Sequence, residues 1–175
     1  MLDRVTYDTS GYDHEAKRVT FCDSGRLPFI ALTHHWKTRH TSTDSEGRTR
    51  TEVRHHDEDI IEFLAPRGFG NLSLNQWRLM RSPIRFESSQ FNDQFKVRST
   101  DERFAHDVIH PRMMEFLHAA KPPGFAIQDG RIRPDLHYSV ENLSAMIDFL
   151  EGFFGRVPSF VWKNLGYAEP PFPQP

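Results

Sequence analysis

Residues 27–43 read LPFIALTHHWKTRHTST and residues 48–64 read RTRTEVRHHDEDIIEFL, with only Asp44-Ser45-Glu46-Gly47 between them. Both runs are rich in β-branched and aromatic residues, and a short polar break ending in glycine is the signature of a chain that turns back on itself. The reading is a long antiparallel hairpin with a wet tip and a buried base. With Thr43 and Arg48 paired across the loop, Lys37 faces Arg54, Arg39 faces Glu52, Trp36 faces His55, His35 faces His56 and His34 faces Asp57. Side chains alternate along a strand, so this register places His34 and Asp57 on one face with Trp36, and His35 with His56 on the other.

Outward from the hairpin, residues 17–23 (KRVTFCD) end at Ser24-Gly25 and read as a preceding strand. Residues 71–79 (NLSLNQWRL) and 83–86 (PIRF) read as further strands, and residues 95–99 (FKVRS) alternate as a half-buried strand does. The period then changes. Ser99-x-x-Glu102 has the form of a capping box, and the apolar residues at 105, 108, 109, 113, 116, 117 and 120 repeat every 3.6 positions, predicting a helix over 100–120. Pro111 removes a donor and disfavours helical geometry at His110, so the helix kinks or restarts there. Residues 125–133 read as a hairpin turning at Asp129-Gly130, and Ser139 opens a second helix over 139–155. The fold class expected is α+β: a mostly antiparallel sheet of six or so strands, the long hairpin, and two main helices packed on one face. A single domain over residues 1–166 is expected, with 167–175 a Pro-rich tail that is extended and mobile unless docked.

Composition narrows the function classes. The 175 residues carry a net charge of -2 with basic and acidic residues interspersed, which gives no general attraction for a phosphate backbone, and nucleic acid is not the expected partner. Cys22 is the sole cysteine, so intrachain disulfides and multi-cysteine zinc arrangements are excluded. The start, MLDRVTYDTSGYDHE, shows no signal peptide, and no apolar run reaches the roughly 20 residues of a membrane span. A cytoplasmic chain without a transmembrane segment is the expectation.

Candidate chemistry is confined to histidines. FAHDVIHPRMMEFLH, residues 104–118, spaces His106 and His110 four apart beside Asp107, which resembles half of a zinc site on an ideal helix. In the hairpin, His34, His55 and Asp57 form a second set, with His35 and His56 nearby. Either set could hold a divalent transition metal for a hydrolase. The competing reading makes His106 the polar margin of a packing helix and His34 a packing residue, with no cofactor at all. There is no G-x-S-x-G and no P-loop, and Cys22 lies in an apolar strand.

The segment SPIRFESSQFNDQFKVRSTDERFAHDVIHPRMMEFL, residues 82–117, resembles the centre of an uncharacterised, mainly actinobacterial protein family. The pattern falls on Glu87 to Asn92, Phe95 to Val97, Asp101 to Ala105 and Pro111 to Leu117. It extends to the hairpin tip at 41–49 and to VPSFVW at 157–162, covering residues 17–166. The resemblance implies no activity or ligand. It implies an aromatic packing slot at the position of His34, and tethering to membranes in relatives with hydrophobic segments ahead of the domain, a tether not expected for this chain. The acidic run His56-Asp-Glu-Asp59 also stands where that family has a more apolar strand.

Three functions follow as expectations. The first is a non-catalytic interaction or structural module that binds a protein or self-associates through His40, Arg48 and Arg50 on the hairpin, or through Pro170, Pro171 and Phe172 in the tail. The second is the metal-dependent hydrolase. The third is a soluble, anchorless regulator of membrane-tethered relatives.

Overall fold

The computed structural model describes Val5, residues 7–75 and residues 82–175. Among these residues seven strands form one sheet in which every neighbouring pair is antiparallel: β1 (Tyr12–Cys22), β2 (Phe29–Thr43), β3 (Thr49–Leu64), β4 (Leu72–Leu74), β5 (Val97–Ser99), β6 (Phe125–Gln128) and β7 (Arg131–Pro134). Their spatial order is β1-β2-β3-β7-β6-β4-β5. Five helices lie among the described residues: α1 (Ser89–Gln94), α2 (Glu102–Val108), α3 (Pro111–Ala120), α4 (Val140–Gly155) and α5 (Ser159–Asn164). Of the strand expected over NLSLNQWRL, Leu72–Leu74 is β4, while 76–79 lies outside the described residues. So do residues 1–4 and 6 of the start that was read for a leader.

Register explains where the core sits. Phe63 pairs with Ile132, Ile132 with Ile127 and Ile127 with Leu72, so one face of four adjacent strands is a continuous apolar row. That row joins Ala105 and Val108 of α2, Met113 and Leu117 of α3, Leu143, Met146, Leu150, Phe153 and Phe154 of α4, and Trp162 of α5 in a single buried cluster. On the opposite face, Ile30, Leu32 and Ile60 pack with Val5 in a small second cluster. The long β2 and β3 therefore have side chains in both.

Local chemistry sets the element ends. The helix expected over 100–120 is two helices, because Pro111 occupies the first position of α3 and His110, at φ -83° and ψ 170°, is its extended N-cap. Asp101 rather than Ser99 caps α2, accepting from the Phe104 amide at 3.0 Å; Ser99 Oγ instead donates to the Asn71 carbonyl at 2.6 Å. Ser139 caps α4 by accepting from the Asn142 amide at 3.0 Å. Asp129 (φ 52°) and Gly130 (φ 74°) both adopt the left-handed conformation that a two-residue turn between β6 and β7 requires. Of residues 83–86 only Ile84 pairs, as a single bridge to Val97.

The tail is docked. Phe172 is 3% exposed and stacks on Phe154 at 5.0 Å and on Trp162 at 6.2 Å. Gly155 makes room for it, since a Cβ there would lie 2.5 Å from the Pro173 carbonyl. An aromatic residue among prolines lets a chain that cannot form a ladder still anchor itself by apolar burial.

No helix among the described residues is long and apolar enough to cross a membrane.

Candidate functional site

The part of the sheet with most unsatisfied potential is the ribbon of β2 and β3. Its turn is a three-residue loop: the Asp44 amide donates to the Arg48 carbonyl at 3.0 Å, the Gly47 amide to the Asp44 carbonyl at 3.1 Å, and Gly47 is left-handed at φ 78°. Asp44 Oδ1 accepts from the amides of Glu46 and Arg48. The expected pairing of Thr43 with Arg48 is thus off by one. Thr43 pairs with Thr49, and the slip carries through the ribbon: His34 faces Glu58, His35 faces Asp57, Trp36 faces His56, and Lys37 faces His55.

A one-residue slip exchanges the faces. His34, Trp36 and His56 share the face away from the helices, while His35, His55 and Asp57 share the helix face. The proposed set of His34, His55 and Asp57 is therefore divided between two sides of the sheet. His106 and His110 are divided as well, the first on α2 and the second at the N-cap of α3. His110 Nε2 donates to the Arg156 carbonyl at 2.9 Å, and His106 lies against the Phe86 ring at 4.7 Å. Among the described residues no three His, Cys, Asp or Glu side chains converge so as to hold a metal ion.

On the outer face an aromatic column runs from Tyr7 through His34 and Trp36 to His56, with centroid spacings of 4.5, 4.6 and 5.0 Å. His14 Nδ1 and His34 Nε2 are 2.9 Å apart, a contact needing one donor and one acceptor. His34 is fully buried and its Nδ1 has no partner among the described residues. A buried orphan N–H costs more than a buried orphan lone pair, so the proton belongs on His34 Nε2, donated to His14. Burial, followed by the nearby His14, pushes the His34 imidazole below its usual range, with His35 adding to this and Asp8 acting against it.

On the helix face, His35 Nδ1 donates to Asp57 Oδ1 at 2.8 Å, with the His55 ring at 5.5 Å. This hydrogen bond is the main cause that lowers the Asp57 carboxyl below its ordinary value. Asp59 is the next node, accepting from Thr33 Oγ1 at 2.9 Å, Arg18 Nη2 at 3.0 Å and the Tyr138 amide at 3.1 Å. These groups edge a cleft of about 750 Å³ lined by Arg18, Thr33, Asp57, Glu58, Asp59 and His137.

The pieces do not assemble into a nucleophilic site. His56 Nε2 lies 2.9 Å from Thr38 Oγ1, yet among the described residues its ring bonds no carboxylate and the adjacent Asp57 points to the other face; His35 has its carboxylate but bonds no hydroxyl among those residues. Cys22 Sγ donates to the Ser24 carbonyl at the far end of β1.

What the ribbon does offer is backbone. The bonds Asp44 N–H to Arg48 O and Leu64 N–H to Pro28 O fix the parity of β3. Even-numbered residues bond to β2, and the N–H and C=O of Thr49, Thr51, Val53, His55 and Asp57 point outward. β7 covers that outer edge only at Phe63 and Leu64, and no other described residue pairs with it. Residues 39–55 are exposed throughout, His40, Arg48 and Arg50 among them. Pro170 and Pro171 are half-buried and Phe172 is in the core. The signal missed in the sequence was the parity that a three-residue loop imposes.

The other long edge is blunted. β1 carries two register shifts against β2, between Tyr12 and Glu15 and between Lys17 and Thr20, with Asp13 (φ 54°) and Arg18 (φ 48°) in left-handed conformations inside them. β3 has no such bulge over its fifteen pairs with β2. Its root is held by Glu62, 2% exposed, which accepts from Arg131 and, at 2.7 Å, from Arg133 of β7.

Comparison of the chain with protein-family models, with curated proteins and with solved structures found no match.

Proposed function

We propose that the chain is a non-catalytic interaction module whose working element is the long hairpin of β2 and β3, docking a protein strand along the outer edge of β3. The observation that carries this reading is the contrast between two edges: β1 is bulged twice, whereas β3 presents an unbulged run of outward amides and carbonyls. An open regular edge is a template for strand addition, and sheets without that purpose blunt it. The helices supply the rigid base: α3 and α4 bury their apolar stripes against the short strands, and Glu62 clamps the root of the hairpin to β7. The separation of each histidine from the hydroxyl or carboxylate it would need favours docking over hydrolysis.

A photo-activated cross-linker at Thr51, used in the cell of origin, tests the reading. Discrete adducts that disappear in Val53→Pro and on deletion of residues 40–50 support it. Adducts indifferent to both changes, or none, overturn it.

A further inference from the structure

We infer that the strand added to β3 is β3 of a second copy of this chain, paired antiparallel about a two-fold axis through Val53. This rests on the reading of the β3 edge as a docking element and names its occupant.

The polarity of charge along β3 is the first argument. The tip carries Arg48, Arg50 and Arg54, with Glu52 among them and Glu46 already paired to Arg48 at 2.6 Å, while the root carries the acidic run Asp57-Glu58-Asp59. A strand basic at one end and acidic at the other is complementary to itself only when antiparallel, tip against root.

Register is the second. Centred on Val53, the edges align Thr49 with Asp57, Thr51 with His55 and Val53 with Val53, each a pair whose amides and carbonyls face outward and can exchange both bonds. On the opposite face of the sheet Glu52 meets Arg54 twice, Arg50 meets His56 and Arg48 meets Glu58. No two like charges of fixed sign are opposed. Moving the centre one residue toward the root sets Arg54 against Arg54, and one residue toward the tip sets Glu52 against Glu52. A centre on His55 opposes Glu52 to Glu58. A centre on His56 pairs acids with bases but extends the new ladder to Asp59, beside which His137 and Tyr138 of the same chain already lie.

Burial is the third. Val53 is an exposed apolar side chain at 45%, and on the axis it packs against its symmetry mate. The partner tip then lies beside the acidic root, with its Thr49 opposite Asp57 and its Arg48 against Glu58 on the face away from the helices. The paired edges, nine residues each, run roughly 30 Å.

Sedimentation equilibrium of the full chain tests this with variants that leave β2 pairing alone. The N–H of Val53 points away from β2, so Val53→Pro keeps the ribbon and removes the central donor. The wild type forms a reversible dimer, and Val53→Pro, Glu52→Arg and Arg54→Glu each weaken it at least about tenfold, with unchanged circular dichroism. Mixing Glu52→Arg with Arg54→Glu restores the dimer, because the two strands are then complementary across the axis. A wild type that stays monomeric at about 100 µM, a dimer indifferent to Val53→Pro, or a mixture no tighter than its parts overturns the proposal. A monomeric wild type that still forms Thr51 cross-links to another protein separates this failure from failure of the docking edge itself.

Discussion

The amide of Leu64 donates to the carbonyl of Pro28 at 2.8 Å, and that bond decides which backbone groups of β3 face away from its partner strand. Everything proposed for the outer edge depends on this parity. It continues without interruption to the turn, where Asp44 and Arg48 bond in the same phase.

Proline scanning reads the parity. Thr51→Pro and Val53→Pro remove outward donors and leave the ribbon intact, whereas Glu52→Pro and Arg54→Pro remove donors to His40 and Thr38 of β2. Amide exchange at Thr38 and His40 speeds up in the second pair only. Equal effects at odd and even positions are incompatible with this register.

His34 makes stability depend on pH. Its folded-state value lies below the unfolded value near 6.5, so above about pH 6.5 both states are neutral and the histidine contributes no slope. As pH falls through that window the unfolded chain takes the proton first, and stability drops until the lowered folded-state value is passed. Groups facing His34 are Tyr7 and Asp8 of the N-terminal segment, His14 of β1, Trp36 of β2 and, on the other face, His35. His34→Phe keeps the ring stack and flattens melting temperature against pH between about 6.5 and 5; an unchanged slope assigns it elsewhere.

Glu62 is the root of the arm. Glu62→Ala leaves the guanidinium groups of Arg131 and Arg133 without their buried carboxylate, and unfolding free energy falls by about 3 kcal/mol in denaturant titration. A loss under about 1 kcal/mol shows that β7 holds β3 without this pair.

Phe172→Ala removes a ring buried between Phe154 and Trp162 and costs about 3 kcal/mol. A truncation at residue 167 has at least the same effect. Neither changes stability if the tail is only an extended appendage.

Much of the architecture was legible because it rests on local signals. β-branched and aromatic residues around a short polar loop marked β2 and β3, the Asp129-Gly130 pair marked the turn between β6 and β7, and Pro111 announced the break between α2 and α3. The short α1 and α5 were not legible, since six residues carry less than two helical turns of periodicity. The candidate site depended on one residue of register, which the composition of a polar loop does not determine: Asp44-Ser-Glu-Gly47 fits a four-residue loop as well as a three-residue loop closed by Asp44 and Arg48. That difference moved His34 to the face opposite His55 and Asp57 and dissolved the metal set. Docking of the tail was not legible because prolines carry the signal of an extended chain, while a single aromatic residue, Phe172, supplies the anchor.

Residue-resolved amide exchange along β3, first in dilute protein and then at rising concentration, measures the open edge itself. In dilute protein the amides of Thr51, Val53 and His55 exchange fast while those of Glu52, Arg54 and His56 are protected, and at high concentration the odd-numbered set becomes protected too. Uniform protection of both sets in dilute protein would mean that the edge of β3 is already covered within the chain and has no strand to receive.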